Sequence, residues 1–250
     1  MTNRRILRLS GTDTHDFLQG LVTNDVTKLK NGMVYAALLT PQGKYLADFF
    51  MVPDGDAVLL DVAESLGDML TQRLTMYKLR AAVTIETAGL HLHRGLGAVP
   101  DDGFADPRVP ELGWRAYRSP PQQEDTVDWD ALRVTHILPE TMIELTPDTF
   151  ILEAGFERLN GVDFRKGCYV GQEVTARMKH KTELRKGLAQ VTVDGQAPQG
   201  TELTANGKTA GTLFTQSDGK GIAYLRFDRA TAPMEAGSAQ VTWENPSENK

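Results

Sequence analysis

Cysteine is nearly missing from this chain: one residue, Cys168, in 250. A lone thiol excludes an internal disulfide framework and a four-cysteine metal site, and it fits a reducing compartment. Long apolar runs are missing too. Nothing approaches the roughly 20 apolar residues of a membrane span, so no membrane partner is expected. The opening stretch, MTNRRILRLSGTD, has basic residues but no apolar run for a signal peptide and no room for an extended transit peptide. A cytoplasmic location is the resulting expectation. There is no excess of positive charge: the formal net charge is -6, which argues against broad or direct nucleic-acid binding. Among the histidines only His91 and His93 share a close spacing. They alternate onto one strand face without evident carboxylate support, so no metal site is expected. Internal repeats and low-complexity segments are absent as well.

What remains is an ordinary globular composition, 40% hydrophobic and 24% charged, in a length that allows one large domain or two unequal ones. Ile6 to Leu9 reads as a strand. In GTDTHDFLQGLVTNDV, Thr12 or Asp13 is placed to cap a helix whose buried stripe is Phe17, Leu18, Leu21 and Val22, ending near Thr23-Asn24-Asp25. Those last polar residues either close a turn or face a ligand. Residues 34–39, 45–52 and 58–62 form a β-meander with turns at Pro41-Gln42-Gly43-Lys44 and Asp54-Gly55-Asp56. Asp48 is the odd residue of this meander, a carboxylate between Leu46-Ala47 and Phe49-Phe50. It must be exposed by alternation, paired, or used.

Leu66, Met69, Leu70, Leu74 and Tyr77 recur at helical spacing up to about Leu79, and strands follow at 83–86 and 90–93. Strands, then a helix, then more strands give an α+β fold with helices on an antiparallel sheet. Residues 95–127 read as loops around one strand at 114–117. Asp128 is a cap for a helix holding Trp129, Leu132 and His136. From Leu188 onward short β-rich runs alternate with Asp194-Gly195, Asn206-Gly207 and Asp218-Gly219. That pattern indicates a small closed barrel. The expected division is a body over 1–180, with any internal break near 95–127, and a barrel over 181–246, followed by a loose polar tail.

The chemistry concentrates in Lys166-Gly167-Cys168-Tyr169-Val170-Gly171-Gln172-Glu173. A short helix is predicted from Gln172 to about Lys179, with Val174 and Met178 on one face. The two glycines let the backbone turn tightly or approach a ligand closely. Cys168 has two readings. It is a small buried hydrophobe, or a thiol near a helix N-terminus and the Lys166 ammonium, both of which favour thiolate. Downstream, Arg177, Lys179, Lys181, Arg185 and Lys186 face only Glu183. Such a run is a solvated face or a receptor for an anionic ligand tail. Glu153, in FILEAGF, is a second carboxylate among apolar neighbours.

In order, GTDTHDFLQGLVTNDV, AALLTPQGKYLADFF, KLRAAVTIE and LEAGFERLNGVDFRKGCYVGQEVTARMKH resemble the YgfZ-type folate-binding proteins. These are relatives of the glycine cleavage T-protein and include a mitochondrial iron–sulfur assembly factor. The resemblance runs over nearly the whole chain and is weakest near 95–127. Its most specific part is KGCYxGQE, here KGCYVGQE, which separates this branch from true T-proteins.

The resemblance implies a T-protein-like body around a central folate cavity with a C-terminal barrel. The implied role is a tetrahydrofolate-dependent accessory one in assembly or repair of iron–sulfur enzymes, tRNA-modifying ones included. It places Glu153 on the pterin, where a carboxylate accepts two parallel N–H bonds. Asp48 matches one acid of the T-protein's Asp pair; the other position is Ala47, which puts ordinary aminomethyl transfer in doubt. Asn24 and Asp25 are further candidates for folate. Cys168, tuned by Lys166, is the reactive or transient ligand group, with Tyr169, Gln172, Glu173 and Arg177 around it. One thiolate cannot hold a cluster alone, so iron–sulfur client or assembly proteins are the expected partners. Two other functions stay open: a folate-dependent one-carbon transferase or demethylase, and a thiol redox-sensing binding protein.

Overall fold

A computed structural model describes residues 3–123, 126–180 and 184–244. The chain forms two compact units, Met1–Val127 with Phe156–Arg177, and Asp128–Gly155 with Met178–Lys250.

The first unit is built on a five-stranded antiparallel sheet. Its strands are β1 (Arg4–Ser10), β2 (Val34–Leu39), β3 (Tyr45–Asp54), β4 (Ala57–Ala63) and β5 (Thr84–Thr87), in the order β2-β3-β4-β1-β5. Alternation gives each strand two distinct faces. Leu7 and Leu9, Val34, Ala36 and Leu38, Ala47, Phe49 and Met51, and Val58, Leu60 and Val62 all turn into one core. Helix α1 (Thr14–Gln19) adds Leu18 to it, and α2 (Glu64–Lys78) adds Leu70 and Leu74. Each such fully buried side chain contributes about 1.5–3 kcal/mol. A second, three-stranded sheet, of β6 (His91–Gly95), β7 (Gly103–Ala105) and β8 (Trp114–Arg118), has the order β6-β8-β7.

The other face of the large sheet is not open to water. Asp61, on β4, is fully buried, and the side chains of Arg4, Arg115 and Tyr117 donate to its carboxylate at 2.5, 2.8 and 2.9 Å. Arg115 also reaches Asp106, which Arg108 grips with two further bonds. The guanidinium carbons of Arg115 and Arg108 lie 3.8 and 4.7 Å from the centre of the Phe50 ring. Burial alone would raise the Asp61 carboxyl, but the two guanidiniums hold it below the usual range. Asp106 is held at about 2 in the same way, against its burial, by Arg108 and Arg115.

The second unit holds α3 (Trp129–His136), capped by the Asp128 carboxylate accepting from the Ala131 N–H, as its sequence indicated. Its strands are β9 (Lys186–Asp194), β10 (Thr201–Ala205), β11 (Lys208–Ser217), β12 (Lys220–Arg226), β13 (Met234–Ala236) and β14 (Ala239–Thr242). They close as β10-β11-β12-β9-β14-β13. Asn206 and Gly207 both take positive φ, 51° and 71°, which is the turn an Asn-Gly hairpin requires. Glu144 is buried here and satisfied on both oxygens, by Arg133 and the Glu140 N–H on one and by the Thr215 hydroxyl on the other.

The α+β body and the closed barrel agree with the sequence reading. Three details differ. Helix α1 stops at Gln19, and Leu21 and Val22 are buried without being helical. Asp13 does not cap α1; its carboxylate accepts from the Ala82 N–H instead. Residues 103–105 form a strand because β8 pairs with them, although Gly-Phe-Ala carries no alternation of its own.

Candidate functional site

Asp48 sits on β3 opposite Ala37 and is 6% exposed. Of the three readings open to it, exposure by alternation fails, because alternation names a face and not whether that face is wet. It is paired instead. The Tyr45 hydroxyl donates to one carboxylate oxygen at 2.7 Å and the Tyr35 hydroxyl to the other at 3.0 Å. Tyr35 is fixed in turn, its ring stacked on Phe156 and tilted against Phe50, both at 5.1 Å. Burial and the neighbouring Asp48 push the Tyr35 phenol well above its ordinary range, so it remains a donor.

Asn24 is fully engaged inside the first unit. Its amide donates to the carbonyls of Tyr35 and Asn160, and its oxygen accepts from the Asp25 N–H and the Lys28 ammonium. That exhausts its donors and lone pairs. Asp25 caps a 3-10 turn, Val26–Asn31, accepting from the Thr27 N–H and from Gln19. Against the burial that would raise it, those hydrogen bonds hold Asp25 below its ordinary value. Lys28 also pairs with Asp163 at 2.7 Å.

The cysteine segment is strapped onto this neighbourhood. Thr23 donates its hydroxyl to the Gly161 carbonyl and its own carbonyl accepts from Asp163 N–H. Lys166 is 7% exposed; its ammonium donates to the carbonyls of Gln19, at 2.8 Å, and Val22. The ring of Tyr169 lies 5.1 Å away. Burial lowers the Lys166 ammonium to about 8, with Asp25 and Asp163 pulling it back up and Lys28 adding to the fall.

Helix α4 (Gln172–His180) begins four residues after Cys168. Gly171, at φ +83°, is required there, since a Cβ would stand 2.6 Å from the Thr40 carbonyl oxygen. Gly167 is different: a Cβ on it meets nothing within 4 Å. Cys168 is exposed, which removes the buried-hydrophobe reading. Glu173 and Arg177 are exposed, Gln172 is half-buried and Tyr169 is buried.

Glu153 belongs to the second unit. It is 8% exposed and accepts from the Tyr224 hydroxyl at 2.7 Å, with the Lys186 ammonium at 3.8 Å. Its backbone carbonyl accepts from the Leu188 N–H, which seats it on the start of the barrel. Burial and the adjacent Glu153 push the Tyr224 phenol up. Lys186, read from the sequence as part of a basic run, therefore faces a carboxylate. Lys181 and Glu183 of that run lie outside the described residues. Sequence reasoning missed Tyr35, Tyr45 and Tyr224, which hold the two carboxylates. Only Tyr45 carried a signal, three residues from Asp48.

Residues 185–248 match the family described as "CAF17, C-terminal beta-barrel domain". The mitochondrial iron–sulfur cluster assembly factor IBA57 of Mus musculus is 29% identical over 96% of this chain and 80% of its own length. Its Homo sapiens counterpart is 28% identical over the same shares. The aminomethyltransferase T of the glycine cleavage system from Bartonella henselae superposes with a TM-score of 0.77, at 14% identity, over 97% of this chain and 83% of that one. The YgfZ-type resemblance stands. The fold is T-protein-like, with a CAF17-type barrel. One expectation is overturned: the relatives are mitochondrial proteins by name, which points away from the cytoplasm. A single unpaired thiol fits any reducing compartment, so it never distinguished between them.

Proposed function

We propose that this chain is a tetrahydrofolate-binding accessory factor for the assembly or repair of iron–sulfur enzymes, with tRNA-modifying enzymes among its clients. The observation that carries the reading is likeness along nearly the full chain to proteins named iron–sulfur cluster assembly factors, combined with an exposed cysteine in KGCYVGQE. The fit to folate rests on the acceptors. Glu153 and Asp48 are buried carboxylates oriented by tyrosine hydroxyls, and a carboxylate is the acceptor that a pterin's N–H donors need. Folate, when bound, supplies a one-carbon carrier and a pterin rich in N–H donors.

In this reading Glu153 accepts from the pterin, and Tyr224 and Lys186 hold its orientation and charge. Asp48, in the first unit, is the other candidate acceptor. Asn24 and Asp25 serve indirectly, by bracing the segment around them, because Asn24 has no donor or lone pair left to offer. Arg177 is an exposed cation suited to an anionic tail. Cys168 is the outward-facing thiol that meets the iron–sulfur client or assembly protein. Ala47 packs in the helix-side core, so it adds no second acid beside Asp48; this favours an accessory role over aminomethyl transfer.

The test is complementation of cells lacking their own factor of this type, read as the activity of an iron–sulfur enzyme. The wild-type chain restores activity, Cys168→Ser fails, and Glu153→Gln restores it partly. Full restoration by Cys168→Ser would overturn the assignment of the thiol.

A further inference from the structure

We propose that Lys166 is a positioning residue for Cys168: its side chain ties the segment 164–171 to carbonyls at the end of α1 and just after it, and so fixes where the thiol is presented. The inference rests on the reading of Cys168 as the working group. It assigns the lysine a positional role, where the sequence suggested an electrostatic one.

A helix of six residues leaves its last carbonyls without intrahelical partners, and their aligned dipoles favour a cation there. The Asp16 carbonyl takes the Gly20 N–H, and the Leu18 carbonyl takes those of Leu21 and Val22. Lys166 takes the carbonyls of Gln19 and Val22, which are 147 and 144 residues away in sequence. Two donors from one ammonium therefore fix both the end of α1 and the start of the cysteine segment. Tyr169 folds its ring against the same ammonium. At the far end Gly171 seats against Thr40 and Gly43, the turn of the β2-β3 hairpin.

Between these two anchors, Gly167 and Cys168 are exposed, and Gly167 has open space where a side chain would stand. The segment is thus an arch pinned at Lys166 and Gly171 with the thiol on its outer side. A buried ammonium whose direct partners are neutral carbonyls and a ring is a costly choice for packing alone. It suits a tether. Asp25, Asp163 and Lys28 are the charged groups that face it.

Because Cys168 is the only cysteine in the chain, any thiol chemistry reports on it alone. The experiment compares wild type, Lys166→Met and Lys166→Arg by amide hydrogen exchange over residues 165–170 and by the pH profile of iodoacetamide alkylation. Lys166→Met is expected to speed exchange in the arch by about tenfold or more, as loss of charge-assisted hydrogen bonds implies. The midpoint of the alkylation profile stays in place. Lys166→Arg restores protection, since a guanidinium also donates to two carbonyls. Unchanged exchange in Lys166→Met, no rescue by arginine, or an alkylation midpoint that rises by about one pH unit would each overturn the proposal. Should Lys166→Met fail to fold, Lys166→Gln takes its place with the same expectations. Both measurements use the protein without folate or cluster, so their outcome is separable from that of the proposed function.

Discussion

Replacing Gly171 by alanine and Gly167 by alanine, one at a time, separates the glycine that the fold needs from the glycine that it does not. At Gly171 a Cβ would stand 2.6 Å from the Thr40 carbonyl oxygen, 3.0 Å from the Leu39 Cβ and 3.2 Å from the Gly43 Cα. Two of those atoms are backbone in a tight turn, where the Gly43 N–H bonds the Thr40 carbonyl at 2.8 Å, so the neighbour cannot swing aside. The left-handed φ of +83° costs a non-glycine residue about 1–2 kcal/mol by itself. Relief of the contact adds a comparable amount of overpacking strain, about 1–3 kcal/mol. Gly171→Ala is therefore expected to lose about 2–5 kcal/mol, measured by urea unfolding.

At Gly167 a Cβ meets nothing, and its φ is not among the positive ones. Gly167→Ala is expected to stay within about 0.5 kcal/mol of wild type. If it nonetheless impairs complementation, the missing side chain serves an approaching partner rather than this chain's own packing. Equal stabilities for the two variants would refute the reasoning.

Asp61→Asn leaves Arg4 and Arg115 buried beside an uncharged group; a loss of about 3–5 kcal/mol is expected by denaturant titration. Tyr45→Phe removes the 2.7 Å donor to Asp48 and should cost about 1.5–3 kcal/mol, with weaker tetrahydrofolate binding if Asp48 is an acceptor for it. Asp106 titrates at about 2 when folded and near 3.9 when unfolded. Its contribution is therefore present above about pH 4 and lost as pH falls toward 2; Asp106→Asn should flatten that part of the acid stability curve. Lys166 has the opposite setting, with a folded value of about 8 below the unfolded 10.4 or so. The unfolded state binds the extra proton, so wild-type stability relative to Lys166→Met should rise between about pH 8 and 10.

The sheet, the long helix and the barrel were legible because their signals are local: alternation in residues 34–62, helical spacing from Leu66 to Tyr77, and turn dipeptides such as Asn206-Gly207. The candidate site was legible as residues but not as an arrangement. Asp48 and Glu153 stood out as carboxylates in apolar surroundings, yet the partner of Glu153, Tyr224, is 71 residues away, and no local pattern announces it. The buried Arg4-Asp61-Arg115-Asp106-Arg108 network was missed, although Asp61 in VLLDVA gave the same signal as Asp48. Lys166 was legible as a cation near Cys168 in sequence, but the carbonyls its ammonium bonds lie more than 140 residues earlier, and no local pattern announces them.

The central claim is a folate held by Glu153 in a chain whose working group is the Cys168 thiol, and anaerobic calorimetric titration with tetrahydrofolate tests it most directly, on wild type, Glu153→Gln and Cys168→Ser. Saturable binding is expected in wild type and Cys168→Ser. In Glu153→Gln it should be weaker by about 2 kcal/mol, roughly 30-fold, as loss of a charged hydrogen-bond acceptor implies. Heat changes no larger than dilution in the wild type, or equal affinity in Glu153→Gln, would contradict the account.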